Sequence, residues 1–393
     1  MQFYYNRNST NYFSKRGVKR KLEDTFLMPD YYPQFSCKMG ACRSACCEGW
    51  PISLSVADYF KLLGTDCSPE LRKKLDCGMH LMDHPIPEAY AQISPRYDGK
   101  CPMRLEDGRC GIQAELGEGA LAAVCRLYPR GIRIQESLEC SCANSCEVVL
   151  EQLMSSANPV KFIRKQLSIS MPEILSVPDH PDPIPQEQRI RLWLISIMQN
   201  RKYKLNDRIL QLGIALDELE AVLKYGCNEK LESLLQKTSF PIDMEVQEEM
   251  TEQSLYNIGN LIQHLTSKGT SLSALGYSKI TDYEDTISRF QNLFPDWECW
   301  FESILVNHMF FTQFPFENPP AALHNKFLAL ASIYMIMRYF CLTCDNPTKT
   351  EIVDRLALLF RMVDHTDFDR YVSQIMRTVK CTSYDRLWNM IQI

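Results

Sequence analysis

Twelve of the 17 cysteines in this 393-residue chain fall between Cys37 and Cys146. They open as Cys37-x4-Cys42-x3-Cys46-Cys47, inside FSCKMGACRSACCEGW. Cys101-x8-Cys110 and Cys125 follow, then Cys140-x-Cys142-x3-Cys146, with Cys67 and Cys77 between the first two groups. Thiolates are soft, charged ligands that suit zinc and iron–sulfur clusters far better than magnesium or calcium. A closed site of four thiolates draws on more than one loop, and clusters separated by ~50 residues meet that demand. The adjacent pair Cys46 and Cys47 is awkward for one mononuclear site. Either one sulfur bridges, or two centres lie side by side, or one of the two is buried as a small hydrophobe.

Disulfides are the competing use of so many thiols. A chain of this length buries a large core without covalent staples, and an odd total does not pair completely. The opening residues MQFYYNRNSTNYFSKRGVKRK contain no apolar h-region. The expected setting is therefore the cytoplasm, where thiols stay reduced. Metal ligation is the favoured reading.

Other chemistries find little support. The radical S-adenosylmethionine spacing Cys-x3-Cys-x2-Cys begins at Cys42 and Cys46 but meets Gly49. Glu115-Leu-Gly117-Glu-Gly119 resembles a donor-binding glycine loop but lacks the apolar strand such a loop needs before it. Cys341-Leu-Thr-Cys344 ends a long apolar helix and reads as incidental. His80 and His84 are spaced i, i+4 but precede Pro85 and read as solvent-facing turn residues, and Asn307-His308 lies in an expected amphipathic helix. The net charge of -5 gives no support for a nucleic-acid partner. No apolar run reaches the ~18 residues of a membrane span; Phe327–Met337, the longest, reads as a buried core helix.

The elements that must hold these residues follow from periodicity. Residues 1–27, rich in Asn, Ser and Tyr and then basic, are expected to form a disordered tail. Residues 28–150 form a cysteine-rich metal-binding domain of irregular structure. A helix is expected at Ser55–Leu63, with Val56, Tyr59, Phe60 and Leu63 on one face, and another across AELGEGALAAVCRLYP. The Asp-Gly steps in YDGKCPM and LEDGRC predict tight turns. PDHPDPIPQ is a proline-rich break. Residues 151–393 show helical period almost throughout, including the face Ile209, Leu212, Leu216, Leu219 and Leu223. The expected class is mainly α: the cysteine-rich domain followed by an all-α domain.

MPDYYPQFSCKMGACRSACCEGWPISL resembles the opening of the flagellin lysine N-methylases, an aromatic lead followed by Cys-x4-Cys-x3-Cys-Cys and a Gly-Trp pair, here Gly49 and Trp50. The resemblance continues through Cys101-Pro102, Cys110, Cys125 with Tyr128-Pro129-Arg130, and Ser145-Cys146-Glu147-Val148-Val149. It extends to WFESILVNHMFFTQFPFENP, similar to the family's C-terminal helical signature. The cysteine block alone is shared with small zinc- or iron-chelating domains. The resemblance implies methyl transfer from S-adenosylmethionine to lysine ε-amines of flagellin. It also implies a 4Fe-4S cluster, with zinc as the alternative, on Cys37, Cys42, Cys46, Cys47, Cys101, Cys110, Cys125 and Cys146. Cys67, Cys77, Cys140 and Cys142 are extra to the family set. Aromatic walls attract a cationic sulfonium; among the aromatics near the cysteines, Tyr31, Tyr32, Phe35, Trp50 and Tyr128, the donor-site candidates are Trp50 and Tyr128. Arg130 is the candidate for the donor's carboxylate. The rivals are a non-enzymatic metal-chelating structural protein and an iron–sulfur electron carrier.

Overall fold

A computed structural model describes residues 21–43, 46–133, 138–170, 186–225, 228–243, 250–266, 280, 282–316, 321–344 and 347–393. Four helices start where a short polar side chain caps the first turn. Ser55, Ser68, Asp282 and Thr348 accept from the N–H three residues on and open Val56–Leu63, Pro69–Gly78, Tyr283–Leu293 and Lys349–His365.

Two hydrophobic cores organise the chain. The large one gathers the helices after residue 186 around Leu323–Leu342, a helix buried along nearly its whole length. Its centre is the Phe327–Met337 run expected to be a core helix. Trp297–Thr312 and Lys349–His365 also belong to this core. Ile209, Leu212, Leu216 and Leu219 point into it as their spacing predicts, while Leu223 is exposed. No described helix is long and apolar enough to cross a membrane.

The same core includes a four-stranded sheet. Its strands are β1 (Lys21–Pro29), β5 (Arg130–Arg133), β6 (Glu139–Cys142) and β7 (Phe162–Ser170), in the order β5-β6-β1-β7. β1 runs antiparallel to β7 from Lys21↔Ser170 to Pro29↔Phe162 and parallel to β6 at Leu27↔Glu139. Two expectations are corrected here. The anticipated tail is a strand from Lys21 onward, because Phe26 and Met28 are fully buried; residues 1–20 lie outside the described residues. The region after residue 151 is not wholly helical, because β7 completes this sheet. Its signal was faint: Arg164, Lys165 and Gln166 are exposed in succession on an edge strand, so alternation is lost.

The small core lies within residues 52–122 and packs Ile52, Leu54, Leu62, Leu71, Leu75, Ile93, Met103 and Ile112. Around it stand β2 (Ile52–Leu54), β3 (Met79–Ile86) and β4 (Ala89–Ile93), antiparallel in the order β2-β4-β3. Leu62 is the buried residue of Val56–Leu63, whereas Phe60 is 55% exposed and contacts Tyr59 and Tyr90 at the surface. The helix expected across residues 114–129 is broken. Gly117, at φ +81°, ends Gly111–Leu116, and Ala123–Leu127 resumes after a 3-10 turn. Both Asp-Gly steps are turns, with Gly99 and Gly108 at positive φ. His80 and His84 are exposed on β3. The proline-rich break lies outside the described residues up to Gln186.

Candidate functional site

The thiols gather because three loops are strapped to one another. Cys101 N–H donates to Cys47 O at 2.8 Å and Gly49 N–H to Gly99 O at 2.8 Å, so the loop after Cys46 runs against the turn before Cys101. The Cys37–Cys42 loop crosses the Asp107-Gly108 turn at Gly40. A Cβ on Gly40 would lie 2.7 Å from Arg109 N, and its φ of +103° is itself a glycine conformation. Lys38 pairs with Glu147 at 2.8 Å and Glu151 at 2.9 Å, and Arg43 pairs with Asp354 at 2.9 Å. These pairs pin the first loop to the helices Glu147–Leu153 and Lys349–His365.

The result is two neighbourhoods of sulfur. Cys47, Cys101, Cys110 and Cys125 lie within one another's electrostatic reach. Cys37, Cys42 and Cys146 form the other set, and Cys46 feels Cys37 on one side and Cys47 and Cys125 on the other. No disulfide joins any of the described cysteines. Burial pushes Cys101 and Cys146 up to about 12 and raises Cys42, Cys110 and Cys125. The thiol–thiol hydrogen bond lowers Cys47 and raises Cys46. Backbone N–H groups of Ile112 and Gln113 favour the thiolate of Cys110, and those of Val148 and Val149 that of Cys146. Among the described residues no three or more His, Cys, Asp or Glu side chains converge tightly enough to hold a metal ion as they stand. The donor chemistry nevertheless suits a thiophilic cation, which replaces the protons that burial otherwise retains. Cys140 and Cys142 are fully buried on β6 and pack as core residues, and Cys77 is exposed.

Beside the thiols, the Lys349–His365 helix brings a second cluster. Arg361, Asp364 and His365 share one side of its last turn through the i, i+3 and i, i+4 relation. The His365 ring lies 4.4 Å from Trp50 and 6.4 Å from Tyr128, centroid to centroid. Arg361 sits 5.3 Å over the Trp50 ring and lowers Cys47 along with Arg104. Tyr128 donates to Ser145 Oγ at 3.1 Å, and Ser145 N–H donates to Asp364 Oδ2 at 3.2 Å. His308 Nδ1 lies 3.9 Å from Asp364 Oδ1. Trp50 Nε1, His308 Nδ1, Asp364 Oδ1 and His365 Nε2 are all buried without a hydrogen-bond partner. Such atoms are rare and costly in a folded protein. Burial raises Asp364 to about 7 against the Ser145 hydrogen bonds, and it lowers both His308 and His365 to about 4. The site thus holds two neutral imidazoles and a carboxyl group that titrates near neutrality.

The residues singled out from the sequence divide accordingly. Trp50 and Tyr128 meet here. Arg130 lies instead over Phe35 at 4.8 Å and acts on Tyr32 and Cys142. Asn307 braces the loop that carries Ser145 and Cys146, donating to Cys142 O at 2.9 Å and accepting from Tyr31 at 2.6 Å. Its helix is buried nearly all round rather than amphipathic. Arg361, Asp364 and His365 were missed. Their only signal was a run of charge and histidine ending an apolar helical pattern, RMVDH, far along the chain from the cysteines.

Residues 191–392 match the model of the FliB lysine N-methylase C-terminal domain. The chain is 29% identical over 155 residues to the lysine-N-methylases of Salmonella typhimurium and Salmonella choleraesuis, and the match covers 37% of this chain and 37% of each relative. It is 31% identical over 108 residues to the flagellar biosynthetic protein FliU of Salmonella muenchen, covering 28% of this chain and 63% of that one. No solved structure matches.

Proposed function

We propose, from the premise that this chain belongs to the FliB lysine N-methylase family, that it transfers a methyl group from S-adenosylmethionine to lysine ε-amines of flagellin. The setting would be the cytoplasm. The geometric support is Asp364: a buried carboxyl group with one oxygen unpartnered, between neutral His308 and the rings of Trp50, Tyr128 and His365.

Methyl transfer to lysine has two requirements, and the junction supplies a group for each. A lysine ammonium in water titrates near ~10.4 and must lose its proton before nitrogen can attack. Asp364 Oδ1 accepts that proton, and Ser145 N–H holds the other carboxylate oxygen. The nitrogen lone pair then forms the N–C bond as the methyl C–S bond breaks, and the sulfonium leaves as a neutral thioether. Aromatic faces favour the cationic sulfonium before transfer. Arg361 already occupies one face of Trp50, which leaves Tyr128 and the His365 side of the cluster for the donor.

Cys37, Cys42, Cys46 and Cys146, with Cys47, Cys101, Cys110 and Cys125, are the thiols that would hold a 4Fe-4S cluster, or zinc. A metal bound there supplies positive charge in place of the thiol protons and ties together the loops that carry Trp50 and Tyr128. The deciding experiment uses protein purified without oxygen, labelled donor and purified flagellin. Label on flagellin lysines that is strongly reduced by Asp364→Asn supports the reading, and no label with folded, metal-loaded protein rejects it. Iron, sulfide and zinc analysis with electron paramagnetic resonance on the same sample identifies the metal.

A further inference from the structure

We propose that the helical core carries a second, separate small-molecule site, centred on Arg338, that binds a monocarboxylate with an apolar tail. The inference stands independently of the methylase reading. A cavity of about 480 Å³ opens among the helices Leu205–Tyr225, Tyr283–Leu293, Trp297–Thr312 and Leu323–Leu342. Arg338 lines it together with Lys204, Asn206, Trp297 and Glu298. Trp297 and His308 are on one helix, eleven residues and about 16 Å apart at 1.5 Å per residue. The cavity is therefore not the junction at Asp364, and the two share no residue.

Two other guanidinium groups buried in this protein are ion-paired. Arg191 is paired with Glu139 at 2.9 Å, and Arg208 is paired with Glu302. Arg338 is as deeply buried, at 5% exposure, but no carboxylate lies within ion-pairing distance of it among the described residues. Its Nη1 donates to Tyr334 Oη at 3.1 Å and to Asn206 Oδ1 at 3.3 Å. Its plane lies 4.8 Å over Trp297 and 5.8 Å over Tyr334. A cation–π contact offsets only part of the desolvation of a cation. Nε and Nη2 remain for a ligand, in the fork geometry that fits a carboxylate.

The remaining walls select the ligand class. Lys204 and Arg338 bring two positive charges and Glu298 one negative. Glu298 is turned to Leu205 N–H at 3.3 Å and to Arg208 at 3.9 Å, so it does not neutralise Arg338. A net single positive charge suits a monoanion and disfavours a phosphate dianion. The wall is mostly polar, and Ile287, Pro295 and Trp297 supply its smaller apolar part, enough for a short tail.

The test titrates the full chain with hexanoate, hexanol and inorganic phosphate, reading heat and thermal shift. Saturable hexanoate binding, at least tenfold tighter than hexanol and weakened tenfold or more in Arg338→Lys, is the expected result. No saturable hexanoate binding to the wild type overturns the proposal. Hexanol binding equally well, or phosphate binding more tightly, overturns it too. Should Arg338→Lys fail to fold, Asn206→Ala replaces it; the helper acceptor is then lost while the guanidinium stays, and hexanoate affinity unchanged in that variant overturns the Arg338-centred geometry.

Discussion

The helical core and the cysteine-rich region differ in the ionisable groups that they bury. In the helical core Glu302 is fully buried between Arg201, at 2.8 Å, and Arg208, and Glu139 is held by Arg191 and by Gln188 at 2.6 Å. These charges are balanced inside the protein itself, whereas that of Arg338 in the same core is not. Around the thiols, eight sulfurs lie in two neighbourhoods, and Cys42, Cys46, Cys101, Cys110, Cys125 and Cys146 hold their protons more tightly than a free thiol does. Protons held on buried thiols can be exchanged for a metal ion, which ion-paired carboxylates and guanidinium groups cannot do. Buried groups left unsatisfied cost free energy, and they persist where a ligand, metal or substrate satisfies them later.

The largest effect is expected at the thiols. Removing bound metal, or changing Cys47 or Cys101 to Ser, is expected to abolish methyl transfer and to expose residues 46–125 to proteolysis and hydrogen exchange. The helices after residue 186 should keep their protection, because their core contains neither Cys47 nor Cys101. Equal loosening of both halves would erase the distinction. The next effect belongs to the helical core. Glu302→Ala leaves buried Arg208 with only the more distant carboxylate of Glu298, at 3.9 Å, and we expect a loss of about 3–5 kcal/mol in denaturant unfolding, with the metal content of the folded fraction unchanged.

At Asp364 the loss of a buried carboxylate should act in the other direction. Its carboxyl titrates at about 7 in the folded protein, raised by burial, and near ~3.9 when unfolded. Between those values the folded state binds the proton more tightly, so stability falls as pH rises from about 4 to about 7. Asp364→Asn removes that loss and is expected to stabilise the protein at pH 8 by roughly 2–4 kcal/mol. Methyl transfer should fall about 10²–10⁴-fold, and the rise in rate with pH through about 7 should flatten. A variant that loses stability at pH 8 and keeps its activity would place Asp364 in the frame of the protein and outside its chemistry.

How much of this was readable in advance follows the range of the interactions. Leu212 and Leu216 revealed their helix because a period of 3.6 is local, and Asp107-Gly108 revealed its turn because turn chemistry lies in two residues. Cys37 through Cys146 announced themselves by residue type alone. β1 and β7 did not, since their pairing joins Lys21 to Ser170 and neither strand alternates cleanly. Asp364 could not be read at all. A carboxylate at the end of an amphipathic helix is ordinarily solvated, and only the approach of Ser145 and His308 makes it a buried acid.

The smallest expected effect tests whether the sulfur neighbourhoods depend on the loops that cross beside them. Gly40 sits at φ +103° with its Cα against the Gly108–Arg109 backbone, and an alanine there meets Arg109 N at 2.7 Å. Backbone cannot yield as a flexible side chain does, so Gly40→Ala must open the crossing and costs about 1–3 kcal/mol. The strain falls between Cys37 and Cys42 on one strand of chain and just before Cys110 on the other. Metal affinity should therefore drop several-fold in a chelator competition while the unfolding of the helical core is unchanged. Gly99→Ala is the control. It has the same sign of φ, at +76°, but nothing within 4 Å of the added carbon, so it carries the conformational strain without the collision. A weaker metal site in both variants would assign the effect to backbone strain, and a weaker site in Gly40→Ala alone would assign it to the contact between the two cysteine loops.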